Sequence, residues 1–225
     1  MKYYELFASD PKGDVRLLFT ELPGPPFLSI RPRYARFQCP NPSCKKIDHD
    51  GVFADGFEAG LRIREKRDLL VASEGFTCVS ERVVQLIERC RFAGLRWKPL
   101  AGTEWYVLNA ECHVTADVNA YQRRGPLCEL CGRPREVSGS IQFLRQIVPP
   151  EGPSNFFAPT YDRGGSLVGD RDLFLTEDIV EEFRKSGIKG GMCRRLLTSE
   201  EEEEFHASQR DKKLFKWPKG SIVVL

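Results

Sequence analysis

Two segments of the chain share the same order of apolar and polar positions. The first runs from Val79 to Gly94 and the second from Leu175 to Gly190, an offset of 96 positions that needs no gap. In each segment apolar residues fall at positions i, i+1 and i+4, which places them on one face of a helix. They are Val83, Val84 and Ile87 in the first segment, and Ile179, Val180 and Phe183 in the second. The pattern predicts a short amphipathic helix in both.

Both predicted helices have the same start and stop signals. Ser80 and Thr176 stand at the N-cap, where a hydroxyl can accept from the free N–H groups of the first turn. A glutamate follows each of them and favours the positive end of the helix dipole. Gly94 and Gly190 then end each helical unit and allow the chain to turn into the next strand. Each segment therefore reads as an incoming strand, a helix, a glycine turn and an outgoing strand, and the agreement indicates an internal duplication.

Aromatic and β-branched runs predict further strands at residues 104–108, 140–144 and 221–225. The proline- and glycine-rich residues 149–153 form a break between the two halves. We therefore expect an α+β protein with two related strand–helix–strand lobes. The first lobe would cover residues 1–148 with the first repeat, and the second residues 149–225 with the second repeat.

The composition narrows the class of protein. Of 225 residues, 41% are hydrophobic and 29% charged, which is ordinary globular usage. The 34 Lys and Arg against 32 Asp and Glu leave a net charge of +2, which argues against a nucleic-acid partner. No apolar run approaches the roughly 20 residues of a membrane helix, and the start lacks the apolar core of a signal peptide. We expect a cytoplasmic protein without a membrane segment.

Four of the eight cysteines form two close pairs, which are Cys39 with Cys44 and Cys128 with Cys131. In a reducing compartment such pairs are typical of metal-binding turns rather than disulfides. A turn that directs its N–H groups at the sulfurs favours glycine after the second cysteine. Gly132 occupies this position after the second pair, whereas Lys45 occupies it after the first. The hypothesis is a zinc-ribbon-like insertion with a tetrahedral four-cysteine site. Four thiolates leave no position open for water or substrate, so the zinc would be structural.

Other interpretations of these residues stay open at this point. The alternatives are four reduced, partly buried thiols without metal, or a redox-active motif at the second pair. A ligand set of Cys39, Cys44 and His49 is also conceivable, but it leaves Cys128 and Cys131 unexplained. The two cysteine pairs are 84 positions apart, counted from Cys44 to Cys128, so a shared ion would join distant segments of the chain.

With the two cysteine pairs and the capped repeat, the sequence resembles the myxobacterial double-CXXCG paralogous family. The strongest motif is Cys128–Gly132, while the first pair is wider and lacks the glycine. Members of that family are regarded as immunity proteins that neutralise a cognate toxin. The resemblance implies a protein that binds a cytoplasm-acting toxin, such as a nuclease, and blocks it sterically.

Five consecutive glutamates follow Thr198 and Ser199, and they are the candidate partner surface: Glu200, Glu201, Glu202, Glu203 and Glu204. Part of the run suits a helix start, with Ser199 as the cap and Glu202 completing a capping box. The remainder is either a solvated face or an acidic patch that fits the basic groove of a nuclease.

No enzymatic activity is expected. The three histidines show no ligand spacing, and the glycine pairs lack the strand–loop–helix context of a phosphate-binding motif. The alternative function is a zinc-stabilised cytoplasmic adaptor or regulator that binds a signalling protein such as a small GTPase, because the same scaffold suits either task.

Overall fold

The structure is a computed structural model, and it describes residues 2–8, 15–21, 28–44, 46–58, 63, 66–72, 74–116, 121–139, 141–152, 154–159, 172–211 and 214–225. The fold is α+β. The strands are β1 (Tyr3–Ala8), β2 (Phe19–Glu21), β3 (Leu28–Ile30), β4 (Leu69–Val71), β5 (Thr77–Ser80), β6 (Leu95–Pro99), β7 (Trp105–Ala110), β8 (His113–Val114), β9 (Tyr121–Leu127), β10 (Pro134–Gly139), β11 (Phe156–Pro159), β12 (Leu173–Thr176), β13 (Gly191–Arg195) and β14 (Ile222–Val224). The α-helices are α1 (His49–Asp55), α2 (Glu81–Cys90), α3 (Glu177–Lys185) and α4 (Ser199–Arg210), and 3-10 helices cover Pro32–Phe37 and Leu144–Gln146.

Two larger sheets organise the described residues. The six-stranded sheet has the order β14-β13-β1-β12-β11-β8, and the four-stranded sheet has the order β4-β5-β7-β6. Neighbouring strands are antiparallel except β11 and β8, which run parallel. Strand β1, from the start of the chain, lies between β12 and β13, so the six-stranded sheet takes strands from both sides of the 148/149 position.

The segments β5–α2–β6 and β12–α3–β13 have the same surroundings. In each, a third antiparallel strand separates the incoming and outgoing strands: β7 in the first and β1 in the second. Tyr106 of β7 lies opposite Val79 and Pro99. Tyr4 of β1 lies opposite Leu175 and Arg195, each of which is 96 positions after its counterpart.

A reciprocal set of hydrogen bonds joins the two segments. Asp68, before β4, donates its N–H to the Lys189 carbonyl at 2.7 Å, and its Oδ2 accepts from the Lys189 N–H at 2.9 Å. Asn155, before β11, does the same with Ala93, at 3.0 Å through its N–H and 3.1 Å through Oδ1. Lys189 and Ala93 are again 96 positions apart, so each segment is held by the strand that precedes the other.

The turn glycines sit where this contact leaves no room for a side chain. Gly94 has φ +93° and Gly190 has φ +97°. A Cβ on Gly94 would lie 2.5 Å from the Phe156 carbonyl oxygen, and a Cβ on Gly190 would lie 2.5 Å from the Leu69 carbonyl oxygen. The two positions therefore need glycine for both the backbone conformation and the close approach.

Helices α2 and α3 share one apolar core with one face of each larger sheet. The predicted stripes are buried in that core, which includes Val83 and Ile87 as well as Ile179 and Phe183. The opposite face of the four-stranded sheet packs on a second cluster around α1, and the opposite face of the six-stranded sheet packs on a third. The amphipathic helices predicted from the sequence are therefore confirmed as elements of the fold.

The helix starts are confirmed at Ser80 and Thr176, but the predicted role of their hydroxyls is wrong. Neither side chain accepts a capping hydrogen bond from the first turn. The Ser80 hydroxyl donates to Asp68 Oδ1 at 2.9 Å, and the Thr176 hydroxyl donates to Asp178 Oδ1. A hydrogen bond to a charged carboxylate is stronger than one between neutral groups. Both hydroxyls therefore donate to the nearby carboxylate and do not cap the helix.

The strand predicted at residues 140–144 is not formed. Ser140 lies outside the described residues, Phe143 makes one bridge with Leu197, and the 3-10 helix Leu144–Gln146 follows. Ile141 and Phe143 are nevertheless buried. Their alternation therefore reflects packing of an irregular segment rather than a sheet ladder.

Among the helices in the described part of the chain, none combines the length and apolar composition that crossing a membrane requires.

Candidate metal centre

The first cysteine pair lies in the turn between the 3-10 helix Pro32–Phe37 and α1. The Cys39 N–H donates to the Lys46 carbonyl at 2.7 Å, and the Cys44 N–H donates to the Asn41 carbonyl at 3.0 Å. The Asn41 side-chain oxygen accepts from the Ser43 N–H at 3.0 Å, which closes a local turn. Lys45 lies outside the described residues. The turn directs both sulfurs to the same side.

The second cysteine pair lies in the connection from β9 to β10. The Cys128 N–H donates to the Arg133 carbonyl at 2.9 Å, and the Gly132 N–H donates to the Cys128 carbonyl at 2.7 Å. Gly132 has φ +68°, as expected for the glycine after a metal-binding turn. The Arg133 guanidinium donates to the Ile47 carbonyl at 2.7 Å, which ties this turn to the segment that carries the first pair.

The two turns bring all four predicted sulfurs together. The sulfur atoms of Cys39, Cys44, Cys128 and Cys131 lie within 4.8 Å of one another. Cys39 Sγ is 3.7 Å from Cys128 Sγ, and Cys44 Sγ is 3.6 Å from Cys131 Sγ. A tetrahedral ion with metal–sulfur distances of about 2.3 Å separates its sulfur ligands by about 3.8 Å. The cluster can therefore hold a metal ion such as zinc.

Its surroundings suit a metal rather than a disulfide pair. All four cysteines are free, and the sulfurs are much farther apart than the roughly 2.05 Å of a disulfide. Cys39, Cys44 and Cys128 are buried and Cys131 is half-buried. The Asn41 side-chain amide lies 3.5 Å from Cys128 Sγ as a further donor.

The pKa values of Cys44 and Cys128 are shifted in opposite directions. Burial raises the pKa of Cys44 to about 12, because desolvation disfavours the charged form. The Cys131 backbone N–H, directed at the Cys128 sulfur, lowers the pKa of that thiol to about 6. Metals bind thiolates, so the lowered pKa of Cys128 favours metal binding, whereas binding at Cys44 works against its raised pKa.

The alternative ligand His49 lies elsewhere. Its ring packs against Phe76, with centroids 4.9 Å apart, and its Nε2 is 3.1 Å from the Glu74 carbonyl oxygen. Among the described residues, the group that can hold a metal contains cysteines alone. The set of Cys39, Cys44 and His49 is therefore not the one that the fold assembles.

The other predicted site, the glutamate run, begins helix α4, but the predicted capping residues are wrong by one position. Thr198 is the N-cap, and Glu201 completes the capping box by accepting from the Thr198 N–H at 2.9 Å. The predicted cap, Ser199, is the first helical residue because the helix starts one residue earlier.

Two of the five glutamates are occupied within the chain. Glu201 also pairs with Arg195. Glu202 is buried, accepts from the Arg145 guanidinium at 2.6 Å, and lies 3.3 Å from His206 Nε2. The exposed members of the run are Glu200, Glu203 and Glu204.

Sequence reasoning missed Asn41 and Arg133, which hold the cysteine turns in place. Asn41 stands two residues after Cys39 and two before Ser43, which is a recognisable turn signature. Arg133 carries no such signal, since its acceptor is 86 residues away.

No family model matches the sequence, and none of the curated proteins does.

Proposed function

We propose that this chain is a zinc-stabilised immunity protein, which binds a cognate cytoplasm-acting toxin and blocks it sterically without catalysing a reaction. The observation that carries the proposal is the buried four-cysteine cluster built from two separate turns. It is the feature that the resemblance to the double-CXXCG family leads one to expect. The wider first turn contributes both of its sulfurs despite its different spacing.

The metal is proposed to be structural zinc. Four sulfur donors suit zinc, and they complete a tetrahedral coordination shell. The ion would join residues 39–44 to residues 128–131, next to the hydrogen bond from Arg133 to the Ile47 carbonyl. Its contribution would be to fix the β9–β10 connection against the segment before α1.

The scaffold is proposed to be an internal duplication. The equal registers of β1 and β7, the reciprocal hydrogen bonds of Asp68 and Asn155, and the two close glycine contacts support this proposal. Chance similarity of an amphipathic stripe would not extend to the same long-range contacts. A duplicated α+β scaffold suits a protein whose task is binding, although the fold alone does not decide the partner.

The zinc proposal is tested by measuring metal per chain in the purified protein. We expect about one zinc per chain, and almost none in the double variant Cys128→Ser/Cys131→Ser, because serine hydroxyls are poor zinc ligands. The matched control is Cys90→Ser/Cys112→Ser, which alters two half-buried cysteines outside the cluster. Less than half an equivalent of zinc in the native protein would contradict the assignment.

The immunity proposal is tested by co-expression with a toxin encoded beside this gene. Cells should survive the toxin only when this protein is present, and the two proteins should purify together. Capture of a small GTPase in place of a toxin, with no protection of growth, would favour the adaptor function instead.

A further inference from the structure

Strand β14 leaves one edge of the six-stranded sheet open. It is the outermost strand, and within the described part of the chain it pairs with β13 alone. The Leu225 N–H donates to the Gly191 carbonyl, and the Arg195 N–H donates to the Ser221 carbonyl. In an antiparallel ladder the hydrogen-bonded pairs alternate with pairs that face outward.

The outward pairs therefore contain Ile222 and Val224. The N–H and C=O groups of both residues face away from β13, and among the described residues none of these four groups has a partner. The side chains are also accessible, with 42% of Ile222 and 76% of Val224 exposed. Backbone and side chains thus present an unused strand edge.

This edge lacks the protection that the edge strand β6 has. The outer strand of the four-stranded sheet, β6, carries Arg96, Lys98 and Pro99, which oppose the addition of another strand. Strand β14 reads Ile-Val-Val and contains neither charge nor proline. An open, apolar edge strand is a template for pairing with an extended segment.

A groove runs beside this edge, between β14 and helix α3. It has a volume of about 400 Å³ and includes Tyr4, Val180 and Val223 in its wall. The charged residues around it are four cations and two carboxylates, which are Lys2, Arg184, Arg195, Lys219, Glu177 and Glu181.

Two of the four cations are already neutralised. Lys2 pairs with Glu177 at 2.6 Å, and Arg195 pairs with Glu201. Arg184 and Lys219 form no ion pair with any described residue. The groove therefore keeps an excess of positive charge next to the open strand edge.

We propose that β14 and this groove form a docking surface for an extended segment of a partner protein in which acidic and apolar residues alternate. The segment would add a strand to β14, using the backbone groups of Ile222 and Val224. Because side chains alternate along a strand, its acidic residues would face Arg184 and Lys219 while its apolar residues covered Ile222 and Val224. The inference rests on the proposed function only in assuming that the partner is a protein.

The charge of the groove favours such a segment over a second copy of this chain. Two copies paired through β14 would bring together two grooves with the same positive excess. An acidic strand meets the same edge with opposite charge, which also speeds association at low salt.

The test uses blocked peptides of alternating valine and glutamate, or valine and lysine, titrated into the full-length protein with backbone amides monitored by NMR. We expect the glutamate peptide to bind, to protect the Ile222 and Val224 amides from exchange, and to weaken about tenfold at high salt. The lysine peptide should not bind.

Two variants separate the backbone contribution from the charge contribution. Val224→Pro removes an outward N–H that the β13 ladder does not use, and should weaken binding about tenfold. Val224→Thr is its control, because threonine keeps the N–H and suits a strand. Arg184→Gln/Lys219→Gln should cost about fivefold, while the exposed control pair Arg89→Gln/Arg210→Gln should cost nothing.

The inference is wrong if the glutamate peptide leaves the Ile222 and Val224 amides unchanged, or if Val224→Pro binds as tightly as Val224→Thr. It is also wrong if sedimentation shows a dimer that Val224→Pro abolishes, since the occupant would then be a second copy. Peptide binding without protection from any toxin would leave the docking surface intact and overturn the proposed function alone.

Discussion

At the scale of single residues, the glutamate run shows that neighbours of one type can have different roles. Glu202 is 5% exposed and is held by Arg145 and His206, whereas Glu203 beside it is exposed. The Arg145 hydrogen bond is the main reason why the pKa of Glu202 lies below its usual value. A carboxylate with a lowered pKa stabilises the fold above its unfolded-state pKa, and the effect is lost as the pH falls through the folded-state pKa.

Glu202→Gln should therefore lower the free energy of unfolding at pH 7 by about 1–2 kcal/mol, because a charge-assisted hydrogen bond becomes a neutral one. The difference from the native protein should shrink as the pH falls below about 4.5 and Glu202 itself becomes protonated. Urea denaturation at a series of pH values measures this. Glu203→Gln serves as the control and should change little. A constant deficit at every pH would contradict the assigned ion pair.

At the scale of residues, the metal-binding cysteines could be predicted from the sequence, but the side chains that hold the sites in place could not. The spacing of four cysteines was enough to propose the cluster, since few other arrangements explain two such pairs. The contacts of Arg133 and Arg145 were not predictable, because their acceptors lie 86 and 57 residues away. The capping role predicted for the Ser80 hydroxyl was wrong for a related reason, because its acceptor Asp68 lies 12 residues away. The acceptor of the Thr176 hydroxyl, Asp178, is only two residues away, so there a local competitor was overlooked.

At the scale of elements, the turn glycines connect the helix–strand units to each other. Gly190 has φ +97°, and a Cβ there would lie 2.5 Å from the Leu69 carbonyl oxygen. Gly102 also has a positive φ, of +79°, but a Cβ there would have open space around it. The pair therefore separates the cost of backbone conformation from the cost of the close approach.

Gly102→Ala should lower the free energy of unfolding by about 1 kcal/mol, from the left-handed conformation alone. Gly190→Ala should cost about 2–4 kcal/mol, because the strand β4 must also move away. Chemical denaturation of both variants makes the comparison. Equal costs would show that the approach of Gly190 to β4 is not a fixed feature of the fold.

The elements that the sequence predicted best are those with a periodic pattern and clear ends. Helices α2 and α3 have both, and the structure confirms them. Residues 141–144 have alternation but only one bridge, from Phe143 to Leu197, and the 3-10 helix Leu144–Gln146 follows in place of a strand. The position of β1 between β12 and β13 had no local signal, because strand neighbours are chosen by packing rather than by sequence distance.

At the scale of the whole molecule, the metal cluster and the main core are separate. The four cysteines form a cluster of their own, whereas α2, α3 and one face of each larger sheet form the largest apolar cluster. A chain of this length buries enough apolar surface to fold without a metal. Loss of the metal should therefore loosen the two cysteine turns while the main core stays folded.

We expect hydrogen exchange followed by mass spectrometry to show this division. After chelation, amides in residues 38–48 and 121–133 should exchange at least about tenfold faster, since the ion no longer offsets the cost of ordering both turns. Amides in α2 and α3 should keep their protection, because their buried stripes contact no cysteine of the cluster. The variant Cys128→Ser/Cys131→Ser should reproduce the pattern without a chelator. Uniform loss of protection in all these regions would mean that the metal supports the core itself, and that the two halves depend on the ion to fold.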